Sequence, residues 1–238
     1  MELIVVVYRW ASGKGALQFD KTLYNTKTAA KGFRATAILM QREGKPLRGV
    51  SHSAGCRVTA LGLVTWTLKA LDLPHCIVLV SADLPQKLLL EYVERSQINE
   101  RVQVEFTLMV SQEDNALAHS EGYHGFSLLP GILGPILPRA DGAGPRVGYS
   151  RNSWADVDLD KPGLSASTIE CSRARCAAED HNKHGFIWSS EVVGAVVRAK
   201  LRGKPMPPTQ DEQRIVQRNG SGPALPTVCP FIWEAING

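Results

Sequence analysis

No apolar run in this chain is long enough to cross a bilayer. Leu3-Ile4-Val5-Val6-Val7-Tyr8 falls far short of the roughly 20 residues a spanning helix needs. That segment also lacks the basic start and small-residue cleavage site of a secretory signal, so it reads as a buried strand and the expected location is cytoplasmic. Cysteine is scarce. Cys56, Cys76, Cys171, Cys176 and Cys229 are odd in number and do not form a disulfide framework, which points to a reducing compartment. Charge of one sign is lacking too. The net charge of +4 is spread along 238 residues without basic clusters, which argues against a nucleic-acid partner. There is no internal repeat and no low-complexity block, so a solenoid or fibrous design is excluded. What remains is an ordinary globular composition, 44% apolar and 21% charged, with enough chain for a full core.

The chain alternates strand-like and helix-like segments. A first strand is expected at residues 2–8, then a Gly-rich loop through Gly13-Lys14-Gly15, whose spacing is not that of a phosphate-binding P-loop. One or two helices follow over 19–40, with Ala29, Ala30, Phe33, Ala37 and Ile38 on one face. A polar turn precedes a short strand over 47–50, and a long helical pattern then runs towards Leu71. Residues 76–81 form a near-continuous apolar strand, as expected where both faces of a sheet are covered. Further expectations are a helix over 84–96, a strand over 102–110, a helical turn over 114–120 and a strand over 168–171. The last helix, over 189–201, carries Val192, Val193, Val196 and Val197. The Gly- and Pro-rich stretch 125–148 reads as a long surface excursion. Strands separated by helices imply right-handed crossovers, hence an α/β protein with a mostly parallel sheet and helices on both faces. Two regions are expected: a domain over 1–203 and a Pro-rich C-terminal tail over 204–238.

The segment Ser51-His52-Ser53-Ala54-Gly55 joins the short strand to the long helix. A serine on a sharp strand-to-helix turn has its hydroxyl lifted clear of the sheet and the first helical amides aimed at the same point. The alternative is an ordinary helix start capped by serine. Functional groups in open parallel sheets gather at the carboxyl ends of strands. There the sequence places Ser53, then Asp114, then His184, the chain order of an α/β-hydrolase triad. Serine is a poor nucleophile until a base takes its proton as it attacks. Imidazole does this near neutral pH, and a carboxylate fixes its tautomer and stabilises its cation. Such a base loses activity below about pH 6.5, the free imidazole value. Asp83 is the alternative acid, His181 the rival base, and either aspartate can instead cap a helix. Cys171, Cys176, His181 and His184 are all of metal-binding type, but their spacing matches no common zinc finger.

These motifs resemble a bacterial α/β-hydrolase-like family of unassigned function whose members are read as esterase- or lipase-like serine hydrolases. The resemblance runs from about Val5 to Gly203. It is carried by His52-Ser53-Ala54-Gly55-Cys56-Arg57-Val58 at the nucleophile, where the family usually has asparagine in place of Cys56. Ser81-Ala82-Asp83 matches an aspartate after the next strand, and Trp10-Ala11-Ser12 resembles the family's Trp-Pro-Ser. Ser111, Asp114, Ala116, Leu117 and Ser120 fall in register with the pattern S-x-x-D-x-A-L-x-x-S, and His184-Gly185-Phe186 matches the histidine segment. The resemblance implies an α/β-hydrolase-like fold and a small-molecule ester or acyl substrate, with no metal or organic cofactor. The family also has an earlier strand and a His-Gly loop that gives one oxyanion amide. This sequence starts after that point, so the fold is expected to be N-terminally truncated, with the Ala54 N–H as one donor and the Trp10–Ser12 loop as a substitute source of the second. Losing one such donor costs about a hundred- to thousandfold in turnover. The alternative function is therefore a catalytically impaired hydrolase-like scaffold that binds a partner or lipid.

Overall fold

The computed structural model describes residues 19–43, 48–64, 76–86, 88, 89, 91, 104–126, 146–149, 164–172, 183–204, 216–219 and 227–228. The strand expected at 2–8, the loop at Gly13–Gly15 and Trp10–Ser12, together with Cys176, His181 and Cys229, lie outside them. The chain is of the α/β class. Helix α1 spans Phe19–Arg42, strand β1 Arg48–His52, helix α2 Gly55–Val64, strand β2 Cys76–Val80 and strand β3 Val104–Val110. Helix α3 (Asn115–Phe126), strand β4 (Leu164–Glu170), the short helix α4 (Phe186–Ser189) and helix α5 (Glu191–Arg202) follow. Strands β5 (Val216–Asn219) and β6 (Thr227–Val228) complete the six-stranded sheet, whose order is β1-β2-β3-β4-β5-β6.

The first four strands are parallel and lie in sequence order. Helical segments stand between them, as parallel pairing requires, since each strand must return to the same end of the sheet. β2 shows why its sequence is apolar throughout. Ile77 and Leu79 enter one core with Ala37, Cys56, Ala60, Phe106 and Leu108. Cys76, Val78 and Val80 enter the other with Met109, Ile169, Phe186 and the valines of α5. The period of two thus feeds two cores from one strand. α1 buries Thr26, Ala29, Ala30 and Ala37, a helical stripe, while Tyr24 and Leu39 face solvent. α5 buries Val192, Val193, Val196 and Val197, so tertiary packing outweighs the modest helix propensity of valine.

Several boundaries differ from the sequence expectation. The helical turn expected over 114–120 is the 12-residue helix α3, which runs on to Phe126. β4 begins at Leu164 rather than 168, because Ser165 and Ser167 hide the alternation from a hydrophobicity reading. The single helix expected over 189–201 is divided at Ser190, which is extended at φ −110° and ψ 116°. Residues 216–219, read as part of a Pro-rich tail, pair antiparallel with β4. The end of the excursion is also no surface loop. Arg146 and Val147 are buried, and Val147 N–H and Gly148 N–H donate to Leu84 and Ala82 carbonyls.

Candidate active site

Ser53 lies between the end of β1 and the start of α2 with φ +53°, in the left-handed region that L-residues adopt only at a cost of about 1–2 kcal/mol. Its turn is pinned by three backbone hydrogen bonds. Ser53 N–H donates to Val80 O at 3.0 Å, and Ser53 O accepts from Cys56 N–H at 3.0 Å and Asp83 N–H at 3.3 Å. Ser53 N–H is therefore occupied. Ala54 N–H donates to no other described residue and sits at the start of α2, where the helix dipole favours negative charge. Ser81, after β2, is also left-handed at φ +45°, and so is Lys183 at φ +48°, beside His184. All three strained residues adjoin the same rim, at the carboxyl ends of the parallel strands or next to His184.

Asp114 follows β3 and is wholly buried. Its Oδ1 accepts Leu117 N–H at 3.0 Å and so caps the first turn of α3. The same carboxylate receives His184 Nδ1, 2.9 Å from each oxygen. A carboxylate only accepts, so Nδ1 carries the proton and the neutral ring keeps its lone pair on Nε2, the tautomer a general base requires. The Ser111 hydroxyl accepts Glu113 N–H at 3.2 Å and Asp114 N–H donates to Ser111 O, which tightens the loop that presents Asp114. An ion pair between Lys183 and Glu113 ties the histidine loop to this same loop.

The histidine segment is also held from the other side. His52 Nε2 lies 2.8 Å from His184 O, and since a carbonyl only accepts, His52 Nε2 is the donor. Ser81 Oγ donates to the same carbonyl at 3.2 Å. The two imidazole rings are 4.7 Å apart between centroids and inclined at 51°. The residue next to Ser53 thus touches His184, which brings Ser53, Asp114 and His184 to one rim.

Asp83, the alternative acid, is engaged by other residues. Its carboxylate accepts Ser120 Oγ at 2.8 Å and lies 3.2 Å from Arg146 Nε, all three residues being buried. Burial pulls the Arg146 guanidinium below its ordinary value. Asp83 opposes that shift, and the neighbouring Arg57 adds to it. Gly148 packs so closely that a Cβ there would fall 2.2 Å from Ala82 N, so only glycine fits against the strand end beside Asp83. Cys56 is a buried core residue whose thiol is pushed up by desolvation, the Asp83 carboxylate adding to the shift, and its Sγ donates to Val80 O. Cys171 is likewise buried, with Sγ donating to Ile169 O. Among the described residues no three His, Cys, Asp or Glu side chains are grouped to hold a metal ion.

The sequence reading passed over Trp188, which stands 75% exposed with its ring edge-on to His52 at 6.2 Å. The only signal available was its position four residues after His184. No helix among the described residues is long and apolar enough to cross a membrane. No protein family, curated protein or solved structure matches the chain.

Proposed function

We propose that the chain is a serine hydrolase acting on an ester or other acyl bond, built on an α/β-hydrolase-like sheet. Ser53 Oγ attacks the acyl carbon as His184 Nε2 takes its proton. Asp114 holds the imidazole in its tautomer and stabilises the imidazolium. The Ala54 N–H donates to the developing oxyanion at the start of α2. His184 then returns the proton to the departing alcohol, and water, deprotonated by the same nitrogen, releases the acid and restores the serine. The observation that carries this reading is the pairing of half-buried His184 with buried Asp114, held against the residue next to a left-handed serine.

The test is labelling by a fluorophosphonate. The expected result is stoichiometric modification of the wild-type protein that disappears in Ser53→Ala. A folded wild-type protein that takes no label would overturn the reading. The second reading, a hydrolase-like scaffold that binds a partner or lipid without turnover, draws on the occupied Ser53 N–H, which donates to Val80 O and leaves Ala54 N–H as the oxyanion donor named among the described residues. It gains if the folded protein resists labelling.

A further inference from the structure

We propose that Trp188 is the platform for an apolar group of the substrate, so that the preferred substrates carry an alkyl or aryl substituent rather than a charged one. The chemistry rests on the hydrolase reading above; the subsite is argued from the residues around Trp188.

Three apolar residues follow one another in α4, and they part company. Phe186 and Ile187 are 1% and 7% exposed and fill the core beneath α5, whereas Trp188 is 75% exposed. A large indole left in water forgoes the stabilisation that burial gives its two neighbours. Its surroundings indicate what would cover it. The indole meets the His52 ring edge-on, centroids 6.2 Å apart and planes at 70°. The His52 ring in turn lies 4.7 Å from that of His184. These rings form a continuous aromatic path that starts at the proposed general base. The register pairs Val50 with Val78 and His52 with Val80, so Val50 and His52 share the sheet face that carries α4 and α5. Val50 is itself 38% exposed. The other large exposed apolar residues among those described, Tyr24 and Leu39, both lie on α1.

A substrate whose scissile bond sits at His184 would therefore extend its substituent across His52 towards Trp188. An alkyl or aryl group gains there by leaving water, while a carboxylate would lose its hydration against the same apolar surface.

Two measurements test this. In the first, labelling rates are compared for ethyl and octyl fluorophosphonates. The octyl-to-ethyl ratio is expected to exceed one in the wild type, to fall about tenfold in Trp188→Ala, the scale of one or two methylenes withdrawn from an apolar surface, and to recover in Trp188→Phe. A ratio unchanged in Trp188→Ala overturns the proposal. In the second, octyl acetate is added to Ser53→Ala protein, where no acyl transfer can occur. A blue shift of indole emission is expected, absent when Trp188→Phe is added. Lack of any shift overturns the proposal. A shift that depends on Trp188, in a chain whose wild type takes no label, upholds the apolar subsite and removes the hydrolase reading. Labelling that is indifferent to Trp188 does the reverse.

Discussion

Asp114 shows how one side chain serves two purposes that look like alternatives in the sequence. As a helix cap it satisfies Leu117 N–H, and in the proposed reaction it orients His184, with the same oxygen engaged in both hydrogen bonds. An asparagine in its place would keep the cap, since asparagine caps as well as aspartate, but would lose the anion. Asp114→Asn is therefore expected to leave the circular dichroism spectrum intact and to slow fluorophosphonate labelling by about 10³- to 10⁴-fold. Around it, Ser111 tightens the loop, Leu117 is core, and Ser120 hydrogen-bonds Asp83. An aspartate three residues before a core leucine, just past an apolar strand, is a pattern the sequence displays openly, and the structure gives it a helix cap and a histidine partner. Trp188 was not legible, because nothing in a short apolar run tells which member will face water. Cys76 offers a pH test at this scale. Burial, and then the Glu105 carboxylate, push its thiol from the ordinary 9.0 up to about 11. The folded state thus holds this proton more tightly than the unfolded chain does, and the stability conferred is complete below 9.0 and lost as pH rises through about 11. The stability advantage of wild type over Cys76→Ala, measured by urea unfolding, is expected to shrink across that interval.

At the scale of elements, α5 joins the two ends of the parallel sheet's story. Its first turn holds Glu191 and its last Lys200 and Arg202, charges that suit the helix dipole. Gly203 ends it at φ +63°, with its N–H bonded to Lys200 O and that of Lys204 to Ala199 O. Arg48, at the start of β1, adds a hydrogen bond from Nη1 to Lys200 O. A Cβ on Gly203 would meet Arg48 Nη1 and Nη2 at 2.9 Å in addition to the backbone strain. Gly203→Ala is expected to cost about 1–2 kcal/mol in urea unfolding while leaving labelling of Ser53 in the folded protein unchanged. The valine pairs of this helix were plain in the sequence because their spacing is helical and their burial complete. β5 was hidden, because its residues, Val-Gln-Arg-Asn, owe their extended form to pairing with β4 and not to their own preference.

For the molecule as a whole, the sheet separates two cores, and the buried Arg146–Asp83 pair fastens the segment around Gly148 to the β2 end of the rim. Parallel order followed from the alternation of strand and helix signals, but nothing in a Gly- and Pro-rich stretch indicated that its last residues would enter the interior. A buried charge stripped of its partner is costly, so Arg146→Met is expected to destabilise the fold by about 3–5 kcal/mol in denaturant titration. Adding Asp83→Asn should recover part of that loss, since the orphaned anion is then gone. Finally, Ser53, Ser81 and Lys183 hold backbone shapes in which glycine would be the more comfortable tenant. A descendant of this chain that no longer needed its rim could exchange them for glycine, relieving the backbone strain while giving up the Ser81–His184 O hydrogen bond and the Lys183–Glu113 ion pair. Replacement at those positions would then serve as a fossil sign that chemistry had been given up.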